Sequence, residues 1–95
     1  MKESPMQSAI VNACDEVKEL LLAKNKEYGN SVAEPLSIFS DLTAEEQINV
    51  RIDDKLKRIH SVRRLGKMQI HEDTELDLIG YLILKRALRL VGADK

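Results

Sequence analysis

Three stretches of the chain gather residues that can do chemistry. Residues 51–58 read RIDDKLKR and place Arg51, Asp54, Lys55 and Arg58 three and four positions apart, which is one side of a helix. Residues 71–84 read HEDTELDLIGYLIL, with Glu72, Asp73 and Asp77 leading into an apolar run. Asp73 and Asp77 share a helical face, and the same steps lead on to Tyr81, Leu84 and Leu88. Residues 24–31 read KNKEYGNS and bring Lys24, Asn25 and Tyr28 to a helix end. Carboxylates in line with a core face are costly unless something pairs with them. Two pairings answer that need. Asp73 and Asp77 can form a buried salt-bridge network with Arg51, Lys55 and Arg58. Alternatively, the carboxylates hold Mg²⁺ and the bases hold phosphates, since magnesium is normally bound by one or two carboxylates plus substrate phosphates. Spacing alone leaves both open.

Other residues point to less. Glu16 and Glu19 have an E-x-x-E spacing but fall opposite Ile10, Cys14 and Val17, so they read as solvated. His60 and His71 are not at ligand spacing, and Cys14 on an apolar stripe reads as a small core residue. VRRLGK at residues 62–67 reads as a solvated helix end. Tyr28, beside lysines and asparagines, is placed to contact a base or sugar, although the same cluster also reads as a plain solvated turn.

Helices must position these groups. The spacing predicts a first helix over residues 7–26 after a frayed 1–6, with Ile10, Ala13, Cys14, Val17 and Leu21 on one face. Gly29 and Asn30 suit its C-terminal cap. Residues 33–40, AEPLSIFS, fit a short helix with Pro35 in its first turn and with Ile38 and Phe39 reaching the core. A second helix starts at the capping box TAEE, with Thr43 as N-cap and Glu46 at the third position, and runs to about residue 64. Its apolar stripe is Ile48, Ile52, Leu56, Ile59 and Val62, and Lys55 lies on the core side of the charged row. After a turn at Gly66, a third helix is expected over residues 72–91, stopped by Gly92. Leu76, Ile79, Ile83, Ala87 and Leu90 make its expected core stripe, with Leu78 and Leu82 nearly opposite. The expected fold is therefore all-α: three long helices and a short one, in a small bundle completed by oligomerisation. Burial of Leu78 and Leu82 between subunits is the simplest outlet for the surplus apolar surface.

Composition bounds the partners. Ninety-five residues imply one domain, here taken as 1–95, with a modest core. With 15 basic and 16 acidic residues, no bulk charge draws the chain to nucleic acid or membrane. Three aromatic residues, Tyr28, Phe39 and Tyr81, are too few for a single-strand stacking platform. The lone Cys14 fits a reducing, cytoplasmic setting, and no secretory leader or bilayer-spanning run is visible.

Taken together, KNKEYGNS, RIDDKLKRI and EDTELDLIGYLIL resemble the nucleotide-modification-associated domain family of phages and bacteria. The family pattern is K-N-x-(D/E)-Y-G, then R-x-x-D-K-x-x-R, then E-D-T-x-x-D-(L/I)-x-x-Y, and the likeness spans about residues 24–84. Lys24, Asn25, Tyr28 and Gly29 match the first part. Arg51, Asp54, Lys55 and Arg58 match the second, and Glu72, Asp73, Asp77 and Tyr81 the third. The family is similar to the MazG-like all-α nucleoside triphosphate pyrophosphohydrolases, helical oligomers that use acidic helix residues and Mg²⁺ to release pyrophosphate. The resemblance implies a homo-oligomer, in a bacterial or phage-infected cell, that splits a (deoxy)nucleoside triphosphate into monophosphate and pyrophosphate. In that reading Asp54, Asp73 and Asp77 are catalytic and Glu72, Asp73 and Asp77 hold Mg²⁺. Lys24, Asn25, Tyr28, Arg51, Lys55, Arg58 and Tyr81 hold the nucleotide. The sequence departs from the MazG-like pattern in lacking E-E-x-x-E on one helix and E-x-x-D on the next. Two alternatives stay open beside the enzyme: a non-catalytic protein that binds or sequesters a nucleotide, and a purely structural helical oligomer.

Overall fold

The computed structural model describes residues 4–27, 39, 41–66 and 72–92. These form three helices, α1 (Pro5–Glu27), α2 (Ala44–Arg64) and α3 (Glu72–Val91), with no strand among the described residues. The fold is all-α, as the periodicity requires. The expected short helix over 33–40, Ile38 and the turn with Tyr28, Gly29 and Asn30 lie outside the described residues. Phe39 is described, and it is exposed rather than inserted in the core.

The starts of α1 and α2 each have a local cause. In α1 the Ser4 hydroxyl accepts from the Gln7 backbone N–H at 3.1 Å, and the Ser4 N–H donates to the Gln7 side chain at 3.1 Å. This reciprocal cap, with Pro5 in the first helical position where its missing N–H costs nothing, starts α1 two residues before the expected position. Residues 4–6 are thus part of the capped helix start, not a frayed end. In α2 the capping box forms as read: Glu46 N–H to Thr43 Oγ1 at 3.1 Å and Thr43 N–H to Glu46 Oε1 at 3.0 Å. Gly66 at φ 76° and Gly92 at φ 74° take the left-handed conformation that ends α2 and α3.

The core lies between α2 and α3. Ala44, Ile48 and Leu88 are buried, and Ile52, Tyr81 and Leu84 pack on them. Two interhelical ion pairs fix the register. Glu45 pairs with Arg89 at 2.6 Å and Lys55 with Asp77 at 3.2 Å. Ten residues forward on α2 correspond to twelve residues back on α3 (55 − 45 against 89 − 77), so the helices are antiparallel. The Glu45–Arg89 contact also places an acid at an α2 N-terminus and a base at an α3 C-terminus, where each complements the helix dipole.

Several expected stripes are displaced. The buried face of α3 is Leu88 with Leu84 and Tyr81, the line continuing from Asp77, whereas Ile79, Ile83, Ala87 and Leu90 are exposed. On α2, Leu56 is exposed while Ile52, Ile59 and Val62 are half-buried. At about 100° per residue, Leu56 falls roughly 80° from Ile48, whereas Lys55 falls about 20° from it. On α1 only Val17 is buried, and Ile10, Ala13 and Cys14 are exposed. The cause is that α1 packs on α3 and not on α2. Gly80 marks the crossing: a Cβ there would lie 3.4 Å from Leu21 Cδ2. Leu78 is half-buried and Leu82 half-exposed. No helix among the described residues is long and apolar enough to cross a membrane.

Candidate nucleotide site

Because α1 stands off α2, a gap opens among the three helices. It is a cavity of about 540 Å³, within the range of roughly 300–1,000 Å³ typical of small-molecule sites. Lys24 and Asn25 reach it from the last turn of α1, Gln47 and Arg51 from the first half of α2, and Asp77, Gly80 and Tyr81 from α3. Leu20, Leu21, Ile48, Leu76 and Leu84 supply apolar wall between them. Apolar walls with a few convergent polar groups are the usual make-up of a ligand pocket.

The charges are unevenly balanced. Asp77 is paired with Lys55, whose side chain is 12% exposed against 39% for Asp77. Lys24 and Arg51 form no ion pair or hydrogen bond with other described residues. With Asp77 already offset, the cavity wall presents positive charge from two different helices that no other described residue pairs with. An anion entering it would gain charge-assisted hydrogen bonds without first breaking a pair between described residues. Tyr81 adds a ring with a polar tip to the same wall.

The predicted site residues do not all come together. Lys24, Asn25, Arg51, Asp77 and Tyr81 line one cavity, although they come from separate motifs. Lys55 stands behind that lining and touches it through Asp77. Asp54 and Arg58 pair with each other along α2 at 3.8 Å, about 60% exposed, and line neither cavity wall. Their place is set by the wheel: they lie off the α2 face that meets α3. Asp73 is exposed, one turn before Asp77, and makes no ion pair with described residues. The Glu72 side chain and Tyr28 lie outside the described residues. The expected salt-bridge network therefore forms as one pair, Lys55–Asp77, among the described residues.

Apart from the apolar wall, two lining residues escaped the sequence reading. Gln47 lies one helical turn before Arg51, so extending that charged row backwards finds it; its side-chain amide donates to the Leu42 carbonyl at 3.3 Å. Gly80 reads in sequence as a break in an apolar run, but here its missing side chain leaves cavity space beside Leu21.

No group of three or more His, Cys, Asp and Glu side chains is assembled for a metal among the described residues. Mg²⁺ carried in on phosphates would need only one or two protein carboxylates, and Asp77 is the carboxylate that lines the cavity, with Asp73 one turn earlier outside its lining. Comparisons of the chain with protein-family models, curated proteins and solved structures give no match.

Proposed function

We propose that this protein binds a nucleotide in the three-helix cavity, with the phosphates against Lys24 and Arg51. One observation carries the reading: two cations on different helices, neither paired with another described residue, line one cavity of about 540 Å³ beside Tyr81. A buried-core account would pair those charges with acids, as it does Lys55. Tyr81, Asn25 and Gln47 supply the ring and the amides suited to a base or sugar, and Leu20, Leu21 and Leu76 the apolar surface beside it. The resemblance of the three motifs to nucleotide-modification-associated proteins points the same way.

Hydrolysis is the second reading, and it rests on Asp77. That carboxylate lines the cavity that holds the cations, and Mg²⁺ bound there with the phosphates would supply charge stabilisation and an activated water. Asp73 and Asp77 would hold the ion, together with Glu72 as the motif implies. Lys24 and Arg51 would neutralise phosphate charge, which is most of what phosphoryl chemistry asks of a protein. Asp54, tied to Arg58 away from the cavity, has no part in this version. Calorimetry with a panel of ribo- and deoxyribonucleoside triphosphates tests binding, and pyrophosphate release with and without Mg²⁺ tests hydrolysis. Saturable heat without pyrophosphate supports the non-catalytic protein. Neither signal from any member of the panel leaves the structural oligomer.

A further inference from the structure

We propose that Gly80 is the seat of the nucleobase: the flat ring lies in the slot that its missing side chain opens between Leu76 and Leu84. Gly80 then determines specificity, making the cavity a site for nucleotides rather than for any polyphosphate anion. The inference rests on the nucleotide reading and deepens it.

Nothing in the fold of α3 asks for glycine at position 80. Glycine inside a helix is less stable than alanine. A left-handed backbone or a close approach would account for one, and Gly80 has neither. Its backbone is helical and, unlike Gly66 and Gly92, not at positive φ. A Cβ there would lie 3.4 Å from Leu21 Cδ2, which is ordinary van der Waals contact. Beyond its chain neighbours and its own helix backbone, that Cβ would meet no other described heavy atom within 4 Å. The crossing of α1 and α3 therefore has room for alanine. What the bare Cα leaves open is space in the nucleotide cavity, which Gly80 lines.

The surroundings say which part of a nucleotide fits. Leu76, Gly80 and Leu84 follow one another four residues apart, so they form one row on α3, two leucines with a gap between them, and all three line the cavity. Leu20 and Leu21 of α1 add further apolar wall. Phosphate would lose its hydration in such a slot without a charged partner, and Lys24 and Arg51 offer it a better place. A sugar would leave hydroxyls unbonded there. A base suits the slot, because its ring faces pack against apolar side chains while its edges hydrogen-bond. Asp77, one turn before Gly80, and Tyr81, next after it, put polar atoms on the same cavity wall for those edges.

Calorimetry with ATP, GTP, CTP, dTTP and inorganic triphosphate, on the wild type and on Gly80→Ala, tests the seat, with thermal melts of both proteins. We expect the wild type to bind at least one nucleoside triphosphate more tightly than inorganic triphosphate. Gly80→Ala should weaken that nucleotide by roughly 10-fold or more, the effect of one extra methyl in an apolar pocket. Its binding of inorganic triphosphate should not change, and it should melt no lower than the wild type. A lower melting temperature overturns the seat, because packing at the crossing would then explain the glycine. Equal nucleotide binding by the two proteins overturns it, as does an equal loss of nucleotide and inorganic triphosphate. A wild type that binds inorganic triphosphate as tightly as every nucleotide also overturns the seat but leaves the phosphate site standing. If the wild type binds none of the five, the nucleotide reading falls and the seat falls with it.

Discussion

Replacing Asp77 with Asn separates a structural ion pair from a metal ligand by the sign of its effect. The Lys55 ammonium lies 3.2 Å from the Asp77 carboxylate, and the lysine is 12% exposed. At that distance two unit charges attract by about 5 kcal/mol at an effective dielectric of about 20. Most of this repays the desolvation of the lysine, so the net worth is far smaller. A fully buried pair broken from one side costs about 3–5 kcal/mol. Asp77 is 39% exposed, and water screens what remains, bringing the expected loss to about 2 kcal/mol. At about 4–8 °C per kcal/mol for a domain of this size, the melting temperature of Asp77→Asn should fall by roughly 8–16 °C.

The opposite substitution should be milder. Lys55→Met keeps the packing of the stem and leaves the more exposed partner, Asp77, to be hydrated, so about 1 kcal/mol or less is expected. Lys55→Met with Asp77→Leu should approach wild-type stability, because an apolar pair of similar volume is often neutral or better. Thermal melts of all three in chelator-containing buffer measure this. A metal site predicts otherwise, since removing one of several crowded carboxylates relieves repulsion. An Asp77→Asn protein that melts at or above the wild type would refute the pair as a stabilising element and return Asp77 to the ligand reading.

Arg51→Gln and Lys24→Gln should each weaken triphosphate binding by about 1.5–3 kcal/mol, the scale of a charged hydrogen bond, roughly 10- to 100-fold by calorimetry; both residues are exposed, so melting should hardly move. Lys55→Met should weaken binding less than Arg51→Gln, since Lys55 does not line the cavity. Thr43→Ala removes the α2 capping box and should cost about 1 kcal/mol, read as a melting shift of about 4–8 °C. Gly80→Ala should gain up to about 1 kcal/mol of helix propensity, because the added Cβ meets Leu21 at ordinary contact distance; a lower melting temperature would show that the α1–α3 crossing has no room.

What the sequence made legible follows from which signals are local. Thr43 and Glu46, Gly66 and Gly92 each act within a few residues, and each marks a helix end where the sequence placed it. Ser4 and Gln7 make an equally local cap, readable in the same way as an S-x-x-Q pattern. The face of α3 was not local. With apolar residues almost all round, periodicity favours the larger stripe through Ile79 and Ile83, but the helix turns Leu84 and Leu88 to α2. Charge agrees with that choice: pairing Asp77 with Lys55 is possible only with this face inward. The partner of Arg89 lies 44 residues away, and nothing in either neighbourhood announces it. The same reasoning explains the cavity. Lys24, Arg51 and Tyr81 sit in separate motifs, each dispensable to its own helix, and they meet only because α1 crosses α3 at Gly80 and leaves α2 uncovered. A glycine at the α1–α3 crossing thus accompanies a gap that a tighter three-helix core would have closed. Lys24 and Arg51, exposed and paired with no other described residue, bring positive charge to that gap from two helices, which is why the cavity, rather than any single motif, carries the functional reading.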